Sequence, residues 1–162
     1  MEPSGNAGWL ALYTIMAVVA PLESVLDLIR FSHSYKTLGE WWAVAPLYTV
    51  VAAGRFVFDI AVGLAVGYGA YKIIQKVPDT RAYHVRVWRL VFVCSVVLAI
   101  LGVLGGVLLF RFVPASWFFE GEVYRFMWAP LPSIAVSLIW WRYWQVSVRV
   151  QNTFPSIVMR FH

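Results

Sequence analysis

Arg55 and Asp59 stand four residues apart inside a long apolar run, so on a helix they share one face. A charge near the centre of a bilayer costs at least about 2.5 kcal/mol, so such groups turn toward the bundle interior and find partners. Counting inward from the outer interface puts Glu23 of the preceding apolar run at a depth close to that of Arg55, with Asp27 nearer the surface. An interior polar cluster of Glu23, Asp27, Arg55 and Asp59 is therefore expected. Two chemistries fit it. If Arg55 holds Asp59 and Glu23 together, the cluster is a clamp that sets helix register and moves nothing. If Glu23 takes the guanidinium, Asp59 is left beside Val62, Val66 and the neighbouring glycines, a setting that favours a bound proton or cation.

Other catalytic chemistry finds little support. His33, His84 and His162 are scattered, without metal-ligand spacing or an adjacent nucleophile, and each reads as an ordinary interfacial histidine. Cys94 is the single cysteine, so an intrachain disulfide and dithiol redox chemistry are excluded, and it reads as packing. No phosphate-cradling glycine loop opens a helix. The expectation is no catalytic residue, no metal site and no cofactor.

The elements that must position the cluster are four apolar stretches, about 9–29, 47–71, 90–110 and 127–144, each long enough as a helix to cross a roughly 30 Å hydrocarbon layer. Composition agrees: 61% of residues are hydrophobic and 13% charged, against roughly 25% charged in soluble domains. The chain reads as all-α, one four-span domain over 1–162 with a tail at 145–162. Its net charge of +5 is a matter of topology, and no nucleic-acid partner is expected. Lys72, Lys76, Arg81, Arg86, Arg89, Arg142, Arg149 and Arg160 fall on one side of the spans; Arg30, Lys36, Arg111 and Arg125 fall on the other. Basic loops stay in the cytosol, which places both termini and the central loop there. The first eight residues carry no Lys or Arg, so the first stretch reads as a retained span, not a cleaved signal.

The outer connection 31–45 ends in Trp41 and Trp42, and Pro46 suits the first turn of the next helix. Pro78 stops the second span, Asp79 or Thr80 can cap the third helix, and the basic segment 81–88 is expected to reach lipid phosphates. The second outer connection, 111–126, is aromatic enough to lie in the interface. Gly63 and Gly67, and Gly102 and Gly106, form Gly-x-x-x-Gly pairs, expected to bring spans two and three together, with homodimerisation as the alternative.

The chain closes on Tyr143, then Ser147-Val148-Arg149-Val150-Gln151-Asn152-Thr153-Phe154, and its first span opens Gly8-Trp9-Leu10. Trp140, Tyr143 and Trp144 are expected to anchor at the interface, with Arg142 and Arg149 toward phosphates and Ser147, Asn152 and Thr153 satisfying exposed backbone groups. Docking onto a partner is the other reading. This pairing, with Lys76-Val77-Pro78 after span two, resembles the bacterial inner-membrane family catalogued as domain of unknown function 2569. Trp141-Arg142 departs from the family's usual apolar and proline positions. The resemblance implies a four-helix protein of the inner membrane and carries no activity. The functional expectation is a non-enzymatic accessory or scaffold binding membrane lipids, another membrane protein or a second copy of itself. The rival is a small proton- or cation-coupled transporter using the intramembrane carboxylates.

Overall fold

In the computed structural model, which describes residues 7–44, 46–109 and 130–155, the chain is helical throughout, with no strand among those residues. Among the described residues the helices are, in order, α1 (Trp9–Val44), α2 (Pro46–Ile74), α3 (Thr80–Leu109), α4 (Pro130–Val146) and the short α5 (Val148–Thr153). Among the described residues, three segments, Trp9–Leu26, Thr49–Ile74 and Thr80–Leu108, are long and apolar enough to cross a membrane. Large apolar side chains such as Leu22, Val57, Leu64, Val97 and Leu104 stay exposed on their outer faces, as suits helices whose surroundings are acyl chains.

The first helix corrects the expected outer connection. Instead of ending near Ile29, α1 runs 36 residues to Val44, about 54 Å at 1.5 Å per residue and so longer than the hydrocarbon layer. Pro21 lies inside it. The segment expected as a loop lacks proline, and its one glycine, Gly39, costs a helix interior only about 1 kcal/mol, so nothing in it forces the helix to stop. Pro46 then opens α2, where its missing N–H leaves no bond unmade.

The turn between α2 and α3 is built from backbone bonds. Lys76 N–H donates to the Ile73 carbonyl at 3.1 Å and Val77 N–H to the Lys72 carbonyl at 3.0 Å. Together with the left-handed Lys76 (φ 50°), these make a Schellman closure, in which lysine occupies the position glycine usually takes. The Thr80 hydroxyl donates to the Val77 carbonyl at 2.6 Å, and Lys72 Nζ reaches Asp79 Oδ1 at 2.7 Å. That bond holds the Asp79 carboxyl below its ordinary pKa.

The helices α1 and α2 pack as a hairpin, and α3 packs on both α2 and α4. Their shared core is aromatic: Tyr13, Trp88, Trp140, Trp144 and Phe154 are all buried, with Leu10, Ile73 and Val150 beside them.

Candidate functional site

Of the expected interior cluster, Arg55 and Asp59 are partly buried, whereas Glu23 is exposed. Arg55 Nε and Asp59 Oδ2 pair at 3.5 Å along α2, with the two side chains 21% and 40% exposed. Asp59 and Glu23 line one cavity of about 290 Å³. Both residues belong to membrane-length apolar segments. Met16, Ala17, Ala20 and Ser24 of α1, Val62, Gly63 and Val66 of α2, and Val136 of α4 also line it, with the nearly buried aromatic cluster of Tyr13, Trp88 and Trp140 bordering it. Arg55 faces a separate recess of about 10 Å³, which it shares with Asp59, Ser95 and Ser133 and which has room for about one water. Asp59 is thus the wall common to both spaces. Asp27 falls on α1, but its side chain lies outside the described residues.

Beneath the aromatic cluster is a group the sequence reading passed over. His84, read as interfacial, is fully buried. Its ring stacks on Trp144 at 4.0 Å and 15°. Nε2 meets the Gly69 carbonyl at 3.3 Å, Nδ1 meets the Tyr13 hydroxyl at 2.9 Å, and Trp88 Nε1 donates to that hydroxyl at 3.0 Å. A carbonyl can only accept, so the tautomer with hydrogen on Nε2 satisfies all of these groups: Nε2 donates to Gly69, and the tyrosine donates to Nδ1. Gly69 has no alternative here, because a Cβ would fall on the His84 ring. The available signal was spacing: His84 and Trp88 share a face of α3.

The closing motif folds back on this floor. Ser147 caps α5, its hydroxyl accepting from Val150 N–H. Val150 and Phe154 are buried, and Phe154 lies 6.2 Å from Trp144 between ring centres. The Thr153 hydroxyl donates to the Arg149 carbonyl at 2.8 Å, and the Tyr143 ring sits edge-on to Trp140 at 5.5 Å. Arg149 is half-buried and Asn152 exposed. Arg81 donates to the carbonyls of Trp144 at 3.3 Å and Gln145 at 2.8 Å, where the last turn of α4 leaves its acceptors open. Two expectations are corrected. Trp140 and Trp144 are 7% and 0% exposed, so they fill the core and do not anchor at headgroups. Arg81 binds a helix end, not a lipid phosphate.

A family model described as protein of unknown function, DUF2569, matches residues 3–155. The chain belongs to the DUF2569 family. No curated protein and no solved structure matches it. In this DUF2569 chain the glycine pair of α2 meets a different partner from the one expected. A Cβ on Gly63 would strike Ser24 and the Ala20 carbonyl, and one on Gly67 would strike Pro21, so the ridge receives α1, not α3. Spacing alone identifies a small-residue face without naming the helix that covers it. On α3, Gly102 and Gly106 are buried. Cys94 is partly buried, and no group of three His, Cys, Asp or Glu side chains among the described residues could hold a metal. The segment 111–126 and His162 lie outside the described residues, as do the side chains of His33, Trp41 and Trp42.

Proposed function

We propose that this DUF2569 protein is a single-domain, four-crossing protein of the bacterial inner membrane, with both termini in the cytosol, and that it handles a monovalent cation in its acidic cavity as a small carrier. The observation that carries this reading is the convergence of Glu23 and Asp59, from two helices, on one cavity between the helices. Such inter-helix cavities are where membrane bundles place ligand sites, and ionisable groups at this depth mark ion pathways.

The test is cation flux into proteoliposomes. Wild-type protein should carry a monovalent cation or a proton down its gradient, and Glu23→Gln and Asp59→Asn should each abolish the signal while elution from a sizing column stays unchanged. Wild-type flux equal to that of empty liposomes would refute the carrier. The second reading, an accessory or scaffold for lipid or another membrane protein, is favoured by the apolar outer faces of α1, α2 and α3, since large exposed apolar surface marks such contacts. It calls for a stoichiometric partner in a gentle pulldown.

A further inference from the structure

We infer that the small recess beside Arg55 is a binding site for a single water molecule, which joins α2 to α3 and α4 by hydrogen bonds through the Ser95 and Ser133 hydroxyls. The site stands whether or not the acidic cavity takes a cation. Ser95 is the observation that carries it. The residue is 2% exposed, lies near the middle of the apolar span of α3, and its Oγ is buried with no hydrogen-bond partner among the described residues. Other helical hydroxyls behave differently. Those of Thr14 and Ser24 on α1 and Thr153 on α5 donate to the carbonyl four residues back, at 2.7, 3.1 and 2.8 Å, the usual local bond of a helical serine or threonine. An unmade bond on a buried hydroxyl is costly, and a bound water is its ordinary relief.

Ser95 lines the recess together with Ser133, from the first turn of α4, and with Arg55 and Asp59 of α2, so three helices bring polar groups to one small space. Volume sets the size of the occupant. About 10 Å³ holds one water and no organic molecule. Charge sets its class. A guanidinium in the wall opposes a metal cation and a carboxylate opposes a halide, whereas a neutral molecule that both donates and accepts suits hydroxyls, a guanidinium and a carboxylate alike. The four side chains meet the two to four polar partners that a buried water needs. Asp59 also lines the acidic cavity, so the water ties the wall of that cavity to α3 and α4.

The experiment pairs a crystal structure of the full chain, grown from a lipidic mesophase at a resolution that shows ordered water, with a double-mutant cycle. Wild-type crystals should show a single peak of density within hydrogen-bond distance of both Ser95 Oγ and Ser133 Oγ. Ser95 Oγ donating instead to the Val91 carbonyl, or directly to Ser133 or Asp59, with no peak in the recess would overturn the inference. So would a peak ringed by oxygens at the roughly 2.0–2.6 Å of a metal ion. In the cycle, Ser95→Ala and Ser133→Ala are compared singly and together by denaturant unfolding in mixed micelles. Each should raise the unfolding constant. Because either one alone releases the shared water, the effect of the double variant should fall at least about twofold short of the product of the two. A smaller shortfall would mean that the hydroxyls share no occupant, which also overturns the inference.

Discussion

Substituting Gly63 by alanine tests the packing that brings the two carboxylates to one cavity. An added Cβ would overlap Ser24 Oγ and sit 3.0 Å from the Ala20 carbonyl oxygen. The serine can rotate away, but it then forfeits its 3.1 Å bond to the Ala20 carbonyl, a net loss of about 0.5–1 kcal/mol. The backbone oxygen cannot rotate, so α1 and α2 must part by a few tenths of an ångström, which at about 1–3 kcal/mol is an ordinary overpacking cost. Against this stands the gain from alanine's better helix propensity, about 1 kcal/mol. The net expectation is a loss of about 0.5–3 kcal/mol for Gly63→Ala. Gly54 lies on the same helix with nothing within 4 Å of its would-be Cβ, so Gly54→Ala should stabilise by up to about 1 kcal/mol. Denaturant unfolding in mixed micelles measures both. Adding Ser24→Ala to Gly63→Ala should recover part of the loss, since it removes the side-chain overlap and leaves the backbone contact. Equal effects of Gly63→Ala and Gly54→Ala would refute the close approach of α1 and α2.

Three further substitutions address the end of the bundle where α2 turns into α3. Tyr13→Phe strips the hydroxyl that joins Trp88 Nε1 to His84 Nδ1 and orphans two buried groups, so unfolding free energy should fall by about 2–4 kcal/mol; a loss under half a kcal/mol would contradict the network. Lys76→Gly relieves a left-handed residue at φ 50° and should raise stability by up to about 1 kcal/mol, read as a higher melting temperature, whereas a lower one would contradict the Schellman closure. Because the bond from Lys72 depresses the Asp79 carboxyl below its ordinary value, its contribution is present above the unfolded pKa of about 3.9 and fades as pH falls through the lower folded value. The melting-temperature gap between wild type and Asp79→Asn should therefore hold constant from pH 8 to 5 and close only in stronger acid.

The sequence disclosed what lipid imposes on composition. The apolar lengths follow from crossing a low-dielectric layer, the pairing of Arg55 with Asp59 from their spacing of four on one helix, and the proline at the start of α2 from the unmade bonds of a first helical turn, and local pattern suffices to find all three. What it could not disclose depends on which helix faces which. Trp140 and Trp144 read as interfacial because aromatics near a span's end usually are. Their burial follows from α5 folding back and from His84 stacking beneath, neither of which has a periodic signature. The glycine ridge was legible as a ridge, but its partner was decided by Pro21 and Ser24 on α1. Helix α1 outran its expected end because the polar stretch after Ile29 holds no proline to stop it. Polarity marks where a chain leaves the hydrocarbon, not where its helix ends.

Thiol labelling in intact membranes bears most directly on a hydrated, acidic cavity within the bilayer. In a Cys94→Ser background, Val136→Cys faces the cavity, and Val57→Cys, 65% exposed on α2 and absent from the cavity wall, faces lipid. Val136→Cys should react with water-soluble thiosulfonates at least tenfold faster than Val57→Cys. It should also react faster with the cationic ethylammonium reagent than with the anionic ethylsulfonate, and neutralising Glu23 should erase that preference. Equal reactivity at the two positions, or a preference for the anionic reagent, would contradict the acidic cavity.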